Sequence, residues 1–220
     1  MPNNDPGWSW DTTSRRYRNT ASGRYLSHRD VVKLRDRFTD ARRQGTLDLF
    51  ARYLPPNAAT DPLGWNVGVR YLREKGWQEV ERSMIAQYTF GRGGKNAMTG
   101  DDRVTLQRML RNQKTYWDGF LTEALEGRMS RDAAANRATL YDDASTTFYE
   151  TGRESAFSIT LPAIPGDGGT ECKVKCRCSW RIVRRKNWTD ATWKTVPGDI
   201  CSGCLSRASQ WAPYRIDHPA

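Results

Sequence analysis

Five cysteines sit in the last fifty residues, spaced Cys172-x3-Cys176-x-Cys178, then 22 residues, then Cys201-x2-Cys204. Two close-spaced Cys groups flanking a short β-prone run are the layout of a structural zinc site. A tight turn lets two thiolates of one knuckle take two corners of a tetrahedron, and a second knuckle supplies the other two. Cys201 and Cys204 are the first choice of ligands; Cys172, Cys176 and Cys178 compete for the remaining two corners. Unligated buried cysteines and disulfides are the competing readings, the latter disfavoured for a chain made in the cytosol.

Between Cys172 and Trp188 lie Lys173, Lys175, Arg177, Arg181, Arg184, Arg185 and Lys186, with no acid among them. Trp180 and Trp188 are interleaved. Such a strand can contact phosphates through its cations and stack bases on its indoles, or simply be a solvated face over packed tryptophans. Catalytic chemistry is poorly supplied. The two histidines, His28 and His218, lie near the termini, and the acids are scattered, Glu171 and Asp199 being the only ones beside the cysteines. The chain therefore reads as a non-enzyme.

The elements that must position these groups are mostly helical. Residues 1–28 read as an extended basic and aromatic arm, in which Trp8, Trp10, Arg15, Arg16 and Arg18 are candidate partner contacts. Residues 29–160 read as a helical domain. A helix from Arg29 is weakened at Gly45 and stopped by Pro55-Pro56. A second spans roughly Trp65 to Tyr88, weakened at Gly76, and the Gly91–Asn96 run follows as a linker lacking the phosphate-loop spacing. Asp101 or Asp102 caps a third helix, whose Leu106, Leu110, Trp117, Phe120, Leu121 and Ala124 form an apolar stripe. Ser130 caps a fourth, with Gly152 as an early stop. Past the turn-rich Pro165–Gly169, residues 161–220 read as a Cys-rich β/zinc-knuckle module. The fold class is mainly α, with this module appended.

The net charge of +10 and pI near 9.6 point to a polyanionic partner. Leu, Ile, Val and Phe together fall below the ~20% at which a charged chain tends to disorder. Nine Trp and nine Tyr act against that tendency. A lean core that needs a metal, a partner or copies of itself is the expectation. No apolar run approaches the ~18 residues of a membrane span, and the N-terminus lacks a signal peptide's pattern, so no membrane partner is expected.

The run from Leu161 through Pro165-Gly166-Asp167-Gly168-Gly169 to Cys172, followed by Cys176-Arg177-Cys178-Ser179-Trp180, resembles the C-terminal part of the head morphogenesis (minor head) proteins of tailed bacteriophages. Leu140 to Phe157, with Gly152-Arg153, is similar to the helix that leads into this loop in the family. Cys201 to Leu205, with Trp211 to Tyr214, is similar to its Cys-x2-Cys element. Many members carry His-Pro before the Cys-x-Cys pair, where this chain has Lys173-Val174-Lys175. The resemblance implies a structural virion protein without catalytic residues, made in the host bacterial cytoplasm and placed in the head. Its implied partners are the portal or major capsid protein, packaged DNA bound non-specifically, and further copies of itself. A zinc-stabilised nucleic-acid-binding regulator is the alternative.

Overall fold

The computed structural model describes residues 7–196 and 200–218. The helices are α1 (His28–Tyr53), α2 (Pro62–Tyr71), α3 (Trp77–Arg92), α4 (Gly100–Leu125), α5 (Arg131–Phe157) and α6 (Ser202–Gln210). A β1–β2 hairpin (Trp8–Asp11, Arg16–Asn19) precedes them. An antiparallel sheet of β3 (Ser179–Arg184), β4 (Trp188–Lys194) and β5 (Tyr214–Asp217) follows α5, in the order β3-β4-β5. The fold is thus mainly α with a small Cys-rich strand region near its C-terminus.

Local chemistry explains the helix boundaries. Ser27 and Asp30 form a capping box that starts α1, and Thr99 and Asp102 form another that starts α4. The cap of α4 is therefore Thr99, with Asp102 as the box's acid. Asp61 caps α2 with Pro62 in its first turn, and Ser130 caps α5. Helix α1 runs through Gly45 without a break and ends just ahead of Pro55. Between α2 and α3 the chain stays helical but widens to one π-type turn over Leu72–Gly76. Gly93, at φ +101°, ends α3 in the left-handed conformation.

Gly152 does not end α5. A Cβ there would lie 2.3 Å from the Tyr88 carbonyl oxygen, and one on Gly91 would lie 2.0 Å from that of Tyr149. The two glycines let the backbones of α3 and α5 touch, so a residue that reads as a helix breaker is a helix-crossing contact.

Two apolar clusters result. In the larger, α1 to α5 surround Trp117, which is fully buried among Phe50, Phe120 and Tyr141 at ring distances of 6.3, 5.6 and 5.1 Å. The smaller joins Ala156 and Phe157 of α5 to Leu161, Cys176, Cys178, Cys204, Trp180 and Trp193. Trp180 faces Trp193 across the β3–β4 ladder, and both pack on Trp211 at 5.3 and 5.7 Å.

Residues 7–28 differ from the expected arm, and residues 1–6 lie outside the described residues. Trp10 packs edge-on against Tyr17 at 5.0 Å, and buried Tyr17 donates its hydroxyl proton to the Phe90 carbonyl. The alternation of Trp8, Trp10 and Tyr17 along two short strands buries one face against the helices, which short-range helical periodicity does not reveal.

Candidate metal centre

The loop after α5 turns at Gly166 and Gly168, both at φ +86°, and brings Cys172 back over the end of α6. Asp167 accepts the N–H groups of Ile164 and Gly169 and braces this turn. A single 3₁₀ turn over Lys173–Lys175 then separates Cys172 from Cys176. Cys201 caps α6, its Sγ accepting the N–H of Cys204 at 3.4 Å, so the Cys-x2-Cys element is the first turn of a helix.

The thiols of Cys172, Cys176 and Cys204 all lie within 4.8 Å of one another and form a cluster that could hold a metal ion. Cys204 Sγ stands 3.7 Å from both Cys172 and Cys176, and Cys201 Sγ stands 3.6 Å from Cys172. A metal–sulfur bond of 2.3 Å puts tetrahedral thiolates about 3.8 Å apart, so this spacing fits a cation at the centre. It is far too long for disulfides, and all five cysteines are free. Cys178 contacts Cys176 and Cys204, and Cys201 contacts Cys172, so both adjoin the three-thiol cluster.

Burial and mutual contact set the ionisation of the thiols. Burial pushes the Cys172 and Cys204 thiols up, and contact with Cys178 together with burial does so for Cys176. Cys201 moves the other way, because the Cys204 and Cys172 N–H groups outweigh its burial. Glu171 braces the ring from outside. It accepts from the Ser202 hydroxyl and from Gly203 N–H at 3.0 Å, contacts that hold its carboxyl down at about 2. Through these contacts Glu171 ties the Cys172 loop to α6. Asp199 lies outside the described residues.

Arg35 and Glu150 fix the cluster to the helices. The Arg35 guanidinium, fully buried, meets Glu150 at 3.2 Å and donates to the carbonyls of Cys178 (3.1 Å) and Arg177 (2.7 Å). Glu150 in turn receives Trp180 N–H at 3.5 Å and bridges to Arg153, which donates to the Trp180 carbonyl. No spacing rule marks Arg35 on α1 or Glu150 on α5 as partners, since 115 positions separate them.

The expected nucleic-acid set divides. Lys173, Lys175, Arg181, Arg184, Arg185 and Lys186 are exposed. Arg177 is not free for phosphate: it pairs with Asp40 at 2.9 Å and Asp143 at 3.3 Å. Arg185 pairs with Asp190. Trp180 is fully buried, so it cannot stack a base, and Trp188 carries the Arg215 guanidinium at 4.3 Å on its face. Of the expected partner contacts, Trp10 is engaged within the chain, Arg18 donates to the Gly23 carbonyl, and Trp8 is half-buried over Leu34 and Phe38. Arg15 and Arg16, by contrast, meet Arg181 and Arg184 around one cavity.

No family model matches the chain, and neither the curated proteins nor the solved structures yield a match. Among the described residues, no helix is long and apolar enough to cross a membrane.

Proposed function

We propose that this protein is a structural component of a tailed-phage head, a minor head protein acting in head morphogenesis at the portal or inner capsid, next to packaged DNA. One observation carries the reading. The segment that resembles the minor head family, Leu161 to Trp180, is the segment that the thiol cluster and the Arg35–Glu150 pair hold against α5. Its cysteines and its Pro-Gly turn thus act as one architectural unit rather than as isolated matches.

The metal in this reading is one zinc ion held by Cys172, Cys176, Cys201 and Cys204, the softest and most compact donor set in the chain. A closed four-thiolate site leaves no position for substrate water, in keeping with an architectural rather than catalytic role. The exposed Lys and Arg residues of the β3–β4 hairpin supply the non-specific attraction to DNA.

Mass spectrometry of purified virions of the encoding phage tests the reading. The account expects the chain in DNA-filled heads at low copy number, co-isolating with portal protein. Its absence from virions, with retention in the infected cell on DNA, would favour the regulator instead.

A further inference from the structure

A cavity of about 470 Å³ opens between the β1–β2 turn, α1, α5 and the outer strand β3. Five arginines line it: Arg15 and Arg16 from the hairpin, Arg153 from α5, and Arg181 and Arg184 from β3. No carboxylate is among the described residues of its wall. Of the acids behind the wall, buried Glu150 is divided between Arg35 and Arg153, Asp11 accepts from Ser14 N–H, and Asp30 is held by Ser27 in the α1 capping box, so the five arginines still outnumber them. Positive charge is therefore in excess here.

The guanidiniums are only partly engaged. Nη1 of Arg15 is buried with no hydrogen-bond partner among the described residues. That backbone position is left-handed, at φ +52°, a conformation uncommon for a side chain of this size. Arg16 stacks on Tyr25 at 4.7 Å, and Arg181 and Arg184 are exposed. His28 on the same wall reports the field. Burial and the charges of Arg153, Arg35, Arg181 and Lys194 hold its imidazole down at about 3, so it is neutral. Burial, Arg184 and Arg92 likewise lower the Arg15 guanidinium.

The remaining wall is aromatic and aliphatic, with Trp10, Tyr149, Phe157 and Ile182. Guanidinium forks suit phosphate oxygens, and an aromatic wall suits a base. The volume lies in the range of small-molecule sites.

We propose that this cavity is a binding site for a nucleoside monophosphate unit, its phosphate held by Arg15, Arg181 and Arg184 and its base against half-buried Trp10. The unit is either a free nucleotide or one residue of a single strand. The proposal does not rest on the head-component reading, since it concerns a cavity whose lining includes no cysteine and makes no reference to virions.

Calorimetry on the full chain tests it, with deoxyadenosine 5′-monophosphate, deoxyadenosine and inorganic phosphate as probes. The monophosphate should bind at least about tenfold tighter than either fragment, because charge and aromatic surface are both used. Competition by a (dT)₄ oligonucleotide identifies a strand as the source, and its failure to compete identifies the free nucleotide. Arg184→Glu, at an exposed position, should weaken the monophosphate about tenfold or more, and Arg15→Asn, which suits the left-handed backbone, should do the same. Arg108→Ser, exposed on α4 and outside the cavity, should leave affinity unchanged. Monophosphate binding no tighter than phosphate or deoxyadenosine, binding indifferent to Arg184→Glu, or displacement of the monophosphate by hexaglutamate would each overturn the assignment.

Discussion

The two apolar clusters are built on different principles. Around Trp117, five helices bury aliphatic and aromatic side chains, the stripe of α4 alone supplying Leu106, Leu110, Phe120, Leu121 and Ala124, and the same helices also bury polar groups such as Thr46, Asp102 and Asp142. Around Trp180 there are three indoles, three cysteines and a borrowed helix end, Ala156 and Phe157. The first cluster is held by burial, at roughly 25 cal/mol per Å² of apolar surface. The second combines its indoles with a thiol cluster that could hold a metal ion and with the Arg35–Glu150 pair. The lesson is that stability in this chain is local in kind: one half should respond to cavities, the other to metal and charge.

Removal of the metal should expose that difference most strongly. Cys204→Ser should unfold the segment beyond Gly166 while leaving the Trp117 helices protected, as read by hydrogen exchange. The effect is expected to be the largest available, because a structural zinc contributes about 10–16 kcal/mol in zinc-finger peptides. Cys178→Ser, which alters the thiol outside the proposed ligand set, should retain the metal.

Breaking the clamp comes next. Glu150→Gln leaves buried Arg35 with Asp36, at 2.8 Å, as its one carboxylate partner among the described residues, and should cost up to about 3 kcal/mol in denaturant unfolding, below the ~3–5 kcal/mol of a fully uncompensated buried charge. The loss should appear in the strand region before the helical core.

A third change separates the halves in the opposite direction. Asp142 on α5 is fully buried, and burial pushes its carboxyl up to about 6 against the pull of the Thr46 hydroxyl and Arg42. Its folded value lies above the unfolded one, so the charged form is penalised in the fold. This group's contribution to stability falls as pH rises from about 4 to 6 and then stays low. Asp142→Asn should raise stability by up to about 3 kcal/mol at pH 7 and have little effect at pH 4, measured by paired thermal melts.

The smallest effect belongs to the solvated face. Lys173→Ser with Lys186→Ser should leave stability within about 0.5 kcal/mol. The same pair should flatten the salt dependence of DNA binding by about 0.9 per lost phosphate contact.

Much of the helical half is legible in the sequence, because its signals are short-range: the Ser130 cap, the α4 stripe and the stop at Pro55 each lie within one element. The cysteine spacing likewise points to one site, and the structure gathers Cys172, Cys176 and Cys204, with Cys201 adjoining. What the sequence conceals depends on pairs far apart. Gly152 reads as a stop because its partner Gly91 is on another helix. Arg35 resembles any charged residue on α1 until Glu150 and the Cys-x-Cys carbonyls surround it. The hairpin over residues 8–19 is too short for its alternation to outweigh its charge, so Trp8 and Trp10 read as free anchors. Arg177 is drawn from the phosphate-binding set by Asp40 and Asp143, residues that no local pattern brings near.

The central claim is that a metal, not apolar burial, holds the Cys-rich half. Metal analysis of freshly purified protein, with thiol titration under native conditions, tests it most directly. The account predicts one zinc per chain, four thiols protected until a chelator is added, and a tetrahedral thiolate spectrum on cobalt substitution. No zinc above background, with all five thiols freely reactive in the folded protein, would contradict it.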